Sequence, residues 1–217
     1  LEYTSKNDCG NILGKVCDVT SLVAFEQMAV EINSEVGLID TLVTCAAAPA
    51  NSSAFTELSF DDWKELLDID LNGVFVASKA CIPNMIKKNF GRVVNITSFH
   101  TVATYPYRSA YVAAKAGVEG LSQAMAVELS HKGITVNTIA PGPVMTKRTQ
   151  WFLDQSPENY QGMIGRTPSG RISEVKDISA LVLFLVSESA GQICGQQIVV
   201  DGGWTKNAWW GDHANRD

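Results

Sequence analysis

The chain has little positive charge and few of the residues that commonly hold metal ions. Its net charge is −6, and its lysines and arginines are scattered rather than gathered into the basic face that nucleic-acid-binding proteins present. We therefore expect no nucleic-acid partner. The three histidines and five cysteines form neither a C-x-x-C pair nor a cluster with ligand spacing, so we also expect no metal site.

Long apolar runs are missing as well. The longest, around residues 178–186, has the length of a core helix and falls short of the ~20 residues needed to cross a bilayer. We therefore expect no membrane association. The odd number and wide spacing of the cysteines, with Cys17, Cys45 and Cys81 in apolar surroundings, indicate buried free thiols and predict a cytoplasmic protein.

What the chain does contain is an alternation of strand-like and helix-like segments. Extended apolar runs lie at 12–17, 41–45, 92–97, 135–139 and 197–200. Helical patterns lie at 21–36, at 59–88 after a capping box at Ser59, at 109–131, and at 173–187. Apolar strands separated by helices predict an α/β fold, a doubly wound parallel sheet that is Rossmann-like and forms a single domain over residues 1–217.

The ends of these strands are the places to look for a ligand, because open α/β sheets bind ligands at the carboxyl ends of their strands. The ends are Asp18, residues 45–48, Thr97 with Ser98, and residues 140–146. The segment 141–170 is rich in proline, glycine and polar residues. It is long for a connection, so we expect a loop that acts as a lid.

Tyr111 and Lys115 are four residues apart and therefore share one face of the predicted helix. A tyrosine hydroxyl, with an ordinary pKa of about 10, becomes a better base when an ammonium group lies nearby. Ser98, at a strand end, could reach the same point and stabilise charge on a substrate oxygen. The spacing alone is also typical of an exposed helix surface. The small residues around Tyr111 indicate that a ligand or another helix approaches closely.

Together these positions resemble the short-chain dehydrogenase/reductase family, and the resemblance covers the whole chain. The matching segments are Y-V-A-A-K at 111–115 with Ser98, C-D-V-T at 17–20, N-I-T-S at 95–98, N-T-I-A-P-G-P-V-M-T at 137–146 and V-D-G-G at 200–203. The resemblance implies hydride transfer between NAD or NADP and a secondary alcohol or ketone, a small-molecule substrate. It also implies a homotetramer.

The resemblance assigns roles to single residues. Tyr111 is the general acid/base, Lys115 lowers the pKa of Tyr111 and binds the nicotinamide ribose, and Ser98 orients and polarises the substrate. Val144 offers its backbone to the carboxamide, and Thr146 binds the carboxamide or a phosphate. The implied cofactor contacts are Asp18, Val19, Ala46, Ala47, Thr97, Tyr111, Lys115, Pro141, Gly142, Val144 and Thr146.

Three departures from the family pattern stand out. The glycine-rich turn T-G-x-x-x-G-x-G is absent, with the first strand and the residue that selects NAD or NADP. We therefore expect about 40–50 further residues before the chain, the size of a βαβ segment, and leave the cofactor choice open. The family's N-N-A-G segment is T-C-A-A at 44–47.

The third departure is Asp70, which stands where the family has an asparagine that completes a catalytic tetrad. A carboxylate could hold the same water and would pair with the Lys115 ammonium. We expect replacement of Asp70 by alanine to lower turnover more than substrate affinity. The alternative is that Asp70 is only a charge on the helix surface.

Aromatic residues near the predicted site suggest a moderately apolar substrate. The candidate pocket residues are His100, Tyr105 and Trp151, with Tyr107, Tyr160 and Met163 on the same segments. The tryptophans of the C-terminal tail, Trp204, Trp209 and Trp210, are expected to pack on a neighbouring subunit or within the chain.

Three alternative functions have to be weighed. A catalytically impaired scaffold that binds the cofactor would explain the altered motifs, but Ser98, Tyr111 and Lys115 argue against it. A dehalogenase of this fold would have arginine in place of Lys115. An epimerase or dehydratase would normally have a larger C-terminal substrate domain.

Overall fold

The computed structural model describes residues 12–49, 52–155 and 157–208. Its helices are α1 (Leu22–Glu35), α2 (Phe60–Leu67), α3 (Gly73–Lys88), α4 (Ser109–Leu129), α5 (Lys147–Gln155), α6 (Pro157–Arg166) and α7 (Val175–Val186). Its strands are β1 (Thr41–Thr44), β2 (Gly91–Ile96), β3 (Ile134–Pro141), β4 (Val144–Met145), β5 (Ser173–Glu174) and β6 (Gln197–Val200). A π-helical segment, Asp68–Asn72, lies between α2 and α3, and short 3₁₀ turns include Phe99–Thr101 and Trp204–Lys206.

The main sheet has the order β1-β2-β3-β6, and each pair of neighbours is parallel. Both faces of its central strands are apolar and covered. Val93 of β2 packs with Met85 of α3 on one face, whereas its neighbour Val94 packs with Leu185 of α7 on the other. Successive strand residues point to opposite faces, so an apolar run must be covered on both sides. The prediction of a doubly wound parallel sheet is confirmed.

The helix predicted over residues 59–88 is divided into three parts. The Ser59 hydroxyl accepts a bond of 3.0 Å from the backbone N–H of Asp62 and so caps α2. The π-helical turn then interrupts the regular spacing, and α3 passes through Pro83 to Lys88. Such π-helical turns are frequent at functional sites. This one carries Asp70.

The segment 141–170, expected to be a loop, contains two helices. The Thr146 hydroxyl accepts a bond from the N–H of Thr149 at the start of α5, and α6 begins at a proline, which suits a first helical position. The high proline and glycine content concealed two short helices. The helix predicted from Ser173 also begins later, because Glu174 and Asp177 form the capping box of α7.

The extended run 12–17 was expected to be a strand and lies in no sheet of the described residues. An isolated strand has no ladder of hydrogen bonds to hold it. The segment contacts α1 through Lys15, whose Nζ lies 3.0 Å from a Glu31 oxygen and 2.8 Å from a Glu35 oxygen. The expectation of a preceding segment stays a prediction.

The prediction of buried cysteines is correct for Cys81 and wrong for Cys45, while Cys17 is half-buried. Cys45 is exposed because it follows β1, which pairs with another strand of the described residues along one edge only. Within the described ranges, no helix combines the length and apolar character needed to cross a membrane.

Candidate active site

The parallel strands bring their carboxyl ends to one edge of the sheet. Ser98 follows β2 at this edge, and α4 carries Tyr111 and Lys115 across it. The small residues of α4 allow the close approach of the π-helical turn, since a side chain at Gly117 would lie 2.9 Å from Leu71. The turn thereby places Asp70 beside Lys115.

Asp70 and Lys115 form a buried ion pair. Asp70 is 0% and Lys115 3% exposed, and Oδ2 of Asp70 lies 3.6 Å from Nζ of Lys115. The other Asp70 oxygen accepts a bond of 2.6 Å from the N–H of Ala48, while Oδ2 has no hydrogen-bond partner. Lys115 Nζ also lies 3.4 Å from the carbonyl oxygen of Ile96. The idea that Asp70 is only a charge on the helix surface is wrong.

Tyr111 is half-buried, whereas Lys115 and Asp70 beside it are almost completely buried. Burial raises the pKa of the Tyr111 hydroxyl, and hydrogen bonding with Ser98 opposes the rise. The negative charge of Asp70 raises this pKa further, and the positive charge of Arg108 lowers it. The sequence indicated Lys115 as the cation that acts on Tyr111. Lys115 Nζ lies 5.8 Å from the Tyr111 ring centre but is paired with Asp70.

Ser98 is 5% exposed, and its hydroxyl oxygen accepts a bond of 3.3 Å from the N–H of His100. The Ser98 hydroxyl hydrogen is therefore free to bond toward Tyr111 or a substrate oxygen. Burial, with a smaller effect from Arg108, lowers the pKa of His100 to about 4. His100 is thus neutral near pH 7.

A hydrogen-bonded cluster behind Ser98 was not found from the sequence. The carboxylate of Glu119 accepts bonds from Thr97 (2.5 Å), Thr138 (2.5 Å) and Gln197 (2.7 Å). Gln197 also bonds Thr101, whose hydroxyl donates to the carbonyl oxygen of Ser98. A buried carboxylate needs such donors. Its partners come from β3, β6 and the end of β2, so spacing along the chain gave no signal.

The residues predicted to contact a cofactor lie mostly along the same edge. Ala46 and Ala47 are exposed after β1, and Val144 and Thr146 follow β3. Gly142 is required, because a side chain there would lie 2.8 Å from Asp201, and Pro141 precedes it. Ala46 and Ala47 are small and exposed, and the next residue, Ala48, bonds Asp70, the partner of Lys115. This part of the site therefore has room for a nicotinamide ribose and fits the group.

Three other residues that were predicted to contact a cofactor have their side chains engaged with the protein itself. The Thr97 hydroxyl already donates to Glu119 and to the carbonyl oxygen of Ile139, so its hydrogen is used inside the protein. Asp18 is exposed, and one of its oxygens accepts bonds from the N–H and hydroxyl of Thr20. Val19 packs against Gly73 at the start of α3. The contacts of Asp18 and Val19 with a cofactor stay predictions.

A cavity of about 670 Å³ opens beside Phe99 and Arg108. Of the candidate pocket residues, Tyr105, Trp151 and Met163 line this cavity, and their contact with a substrate stays a prediction. Trp204 also lines it, with its ring centre 4.8 Å from that of Phe99. This supports packing of Trp204 within the chain. Trp209 and Trp210 lie outside the described residues.

His100 was predicted to line the substrate pocket, and it is not among the residues that line this cavity, so its place in the pocket stays a prediction. The His100 ring is buried against Tyr105 and Tyr111, at centre distances of 4.4 Å and 5.8 Å. Its Nδ1 lies 3.2 Å from the Thr104 hydroxyl. Tyr107 is 60% exposed and stands apart from the cavity lining. The described ranges contain no group of three or more His, Cys, Asp or Glu side chains placed to hold a metal ion.

Comparison with known proteins gives concordant matches. A family model described as enoyl-(acyl carrier protein) reductase matches residues 4–205. The chain is 37% identical over 190 residues to 3-oxoacyl-[acyl-carrier-protein] reductase FabG of Haemophilus influenzae, an alignment covering 88% of this chain and 77% of that protein. It is 31% identical over 206 residues to D-beta-hydroxybutyrate dehydrogenase of Rhizobium meliloti, an alignment covering 90% of this chain and 79% of that protein.

Solved structures agree with these matches. The crystal structure of a gluconate 5-dehydrogenase from Burkholderia cenocepacia in complex with NADP and tartrate superposes with a TM-score of 0.83 at 29% identity. The superposition covers 88% of this chain and 74% of that one.

Proposed function

Since this chain belongs to the short-chain dehydrogenase/reductase family and is an oxidoreductase that uses NAD or NADP on an alcohol or ketone, we propose that Ser98, Tyr111 and Lys115 are its catalytic residues. The observation that carries the proposal is the half-buried Tyr111 beside Ser98, with Lys115 on the same face of α4 and held there by Asp70 of the π-helical turn. The relatives differ in substrate, so their names do not select one for this chain.

The protein's part in the reaction is to handle the proton and the substrate oxygen. When bound, the nicotinamide ring accepts or donates the hydride. In the oxidation direction the Tyr111 oxygen takes the proton of the substrate hydroxyl, and in the reduction direction it returns this proton. The Ser98 hydroxyl donates a hydrogen bond to the substrate oxygen and stabilises its developing charge. Lys115 would hold the ribose, and Asp70 keeps Lys115 in place.

The residues proposed to contact the cofactor lie along the carboxyl edge of the sheet. The nicotinamide end would be held by the backbone at Ala46 and Ala47, by Pro141 and Gly142 at the end of β3, and by Val144 and Thr146. The choice between NAD and NADP stays open.

Turnover of the full-length protein tests the proposal. We expect consumption of NADH or NADPH, followed by absorbance, with a member of a panel of cyclic and aromatic ketones. Ser98→Ala should reduce turnover about 10²–10³-fold, the usual effect of losing one such donor. Ser34→Ala, on the exposed face of α1, is the matched control and should leave turnover unchanged. Cofactor binding without turnover on any substrate would instead favour the scaffold alternative.

We also propose that the protein is a homotetramer. Large apolar side chains are exposed on four helices: Phe60 (73%), Phe75 (49%), Val127 (83%) and Leu183 (70%). Where such side chains form one contiguous patch, a partner usually covers it. Light scattering coupled to size-exclusion chromatography should give four times the mass of the chain, and a monomeric mass would contradict the proposal.

A cytoplasmic location is proposed from the thiols. Cys17, Cys45, Cys81 and Cys194 are all free in the structure, which suits a reducing compartment. Fractionation of the natural source should recover the protein with cytoplasmic markers. Recovery with secreted proteins would contradict this.

A further inference from the structure

The cavity beside the active site is lined by three arginines. Arg108, Arg148 and Arg166 face it, and Glu158 is its acidic lining residue. Within the described residues, every ion pair is formed by another lysine or arginine, so none of these three guanidinium groups has a carboxylate partner. A ligand entering the cavity therefore meets more positive than negative charge.

Arg108 is the most informative of the three. It precedes α4 directly, its side chain is half-buried, and its Nε is buried without a hydrogen-bond partner. Leaving a buried donor without a partner is unfavourable, and more so when the group is charged. The Arg108 guanidinium lies 5.4 Å from the centre of the Tyr105 ring. This places a charged donor that lacks an acceptor in the wall of the cavity.

Arg108 also lies close to the reacting groups. It is three residues before Tyr111, less than one helical turn. Its charge lowers the pKa of both Tyr111 and His100, which shows that its field reaches the reaction centre. A group bound at Arg108 would therefore lie near a substrate oxygen held by Ser98 and Tyr111.

The remaining wall is largely apolar and aromatic. Phe99, Tyr105, Trp151 and Phe152 line it. Trp204 lines it as well and stacks under the Arg166 guanidinium at 4.5 Å. The cavity thus offers an apolar surface next to a basic one.

We propose that the substrate is an anionic alcohol or ketone, with an apolar body in this cavity and a carboxylate or phosphate bound by Arg108. The inference deepens the proposed function and rests on it. A guanidinium group presents paired N–H donors that match both anions, so either can fill the unpartnered position. Arg148 and Arg166 add positive charge to the same cavity.

Binding is tested first, without turnover. Trp151 and Trp204 line the cavity, so their fluorescence should report occupancy by benzoate, phenyl phosphate or neutral benzamide added to the full-length protein. We expect saturable quenching by one or both anions and at least tenfold weaker binding of benzamide. Whichever of benzoate and phenyl phosphate binds more tightly identifies the charged group of the substrate as a carboxylate or a phosphate. In Arg108→Gln the anions should bind about 10- to 100-fold more weakly, as for loss of a charged hydrogen bond.

The matched control removes one positive charge from the other end of the molecule. Lys87 is exposed near the end of α3, where the helix returns to the beginning of β2. Lys87→Gln should bind both anions as the unchanged protein does. Equal weakening in Lys87→Gln and Arg108→Gln would assign the effect to net charge and overturn the proposal. So would the absence of Arg108-dependent quenching by either anion.

Turnover then connects the anion site to catalysis. The substrates are 3-benzoylpropionate, a ketone with a carboxylate, and its neutral methyl ester. We expect kcat/KM for the acid to exceed that for the ester, and Arg108→Gln to reduce the acid value about 10- to 100-fold while changing the ester value less than about threefold. Arg108→Lys should recover part of the loss.

The outcomes separate the two proposals. Activity with neutral ketones that is indifferent to a carboxylate would overturn the anion site and leave the oxidoreductase chemistry intact. Arg108-dependent anion binding without turnover of any panel member, with either cofactor, would overturn the catalytic assignment and leave the anion site.

Discussion

The reaction centre and the neighbouring cavity are built from different kinds of structure. Asp70, Ser98 and Lys115 are 0%, 5% and 3% exposed and lie on the π-helical turn, the end of β2 and the long helix α4. The cavity is walled in part by the short helices α5 and α6, where Trp151 is 65% and Phe152 45% exposed.

This difference separates two tasks. Groups that move a proton must be held firmly, and burial in packed elements does this. Groups that select a substrate can lie on shorter elements with less packing to lose. We therefore expect changes at the centre to affect turnover or stability strongly, and changes at the apolar residues of the cavity wall to act mainly on substrate affinity.

The largest effect on turnover is expected for Tyr111→Phe. Removing the hydroxyl removes the proposed proton donor and acceptor, and turnover should fall about 10²–10⁴-fold. The ring remains to pack against His100, so the unfolding free energy should change little. Tyr107→Phe is the matched control, since Tyr107 is exposed and outside the site. A Tyr111→Phe variant with normal turnover would remove Tyr111 from the chemistry.

The largest effect on stability is expected for Asp70→Ala. The change leaves the buried Lys115 ammonium and the N–H of Ala48 without their carboxylate, so denaturant unfolding should show a loss of about 3–5 kcal/mol. Asp70→Asn keeps an acceptor for Ala48 and should lose less. Asp61→Ala, exposed in the first turn of α2, should stay within about 1 kcal/mol of the unchanged protein. Equal effects of the Asp70 and Asp61 changes would contradict the buried pair.

Removing the charge of Asp70 and removing the charge of Arg108 should shift the pH profile of oxidation in opposite directions. The base is deprotonated Tyr111, so the oxidation rate rises as pH increases through the pKa of Tyr111. Asp70 raises this pKa and Arg108 lowers it. The rising limb should therefore move to lower pH in Asp70→Asn and to higher pH in Arg108→Gln, as measured by kcat/KM against pH. Shifts in the same direction would contradict this electrostatic account.

The smallest effect on stability is expected for Trp151→Ala. Because Trp151 is 65% exposed, the unfolding free energy should change by no more than about 0.5 kcal/mol. The KM for an aromatic ketone should nevertheless rise severalfold, with kcat nearly unchanged. Val30→Ala, 67% exposed on α1, is the control and should alter neither quantity. A fall in kcat without a change in KM would contradict the assignment of Trp151 to substrate binding.

Much of the fold was predictable because its signals are local. The apolar runs of β2 and β3 and the periodicity of α4 are present in short windows of sequence, and the order of strands and helices followed from them. The two helices within 141–170 were missed, because each is short and the segment is rich in proline and glycine. The prediction of a strand at 12–17 was wrong, because a strand needs a neighbouring strand to pair with, and sequence periodicity does not show whether one is present.

The sequence by itself determined that Tyr111 and Lys115 share a face, because four residues make slightly more than one helical turn. It also determined that Ser98 follows a buried strand. Only the tertiary structure decided the electrostatics: Asp70 pairs with Lys115, Arg108 acts on Tyr111, and Glu119 joins three segments behind Ser98. These effects depend on burial and on groups far apart in the chain. For the same reason, the basic cavity that we assign to an anionic substrate appears only after folding.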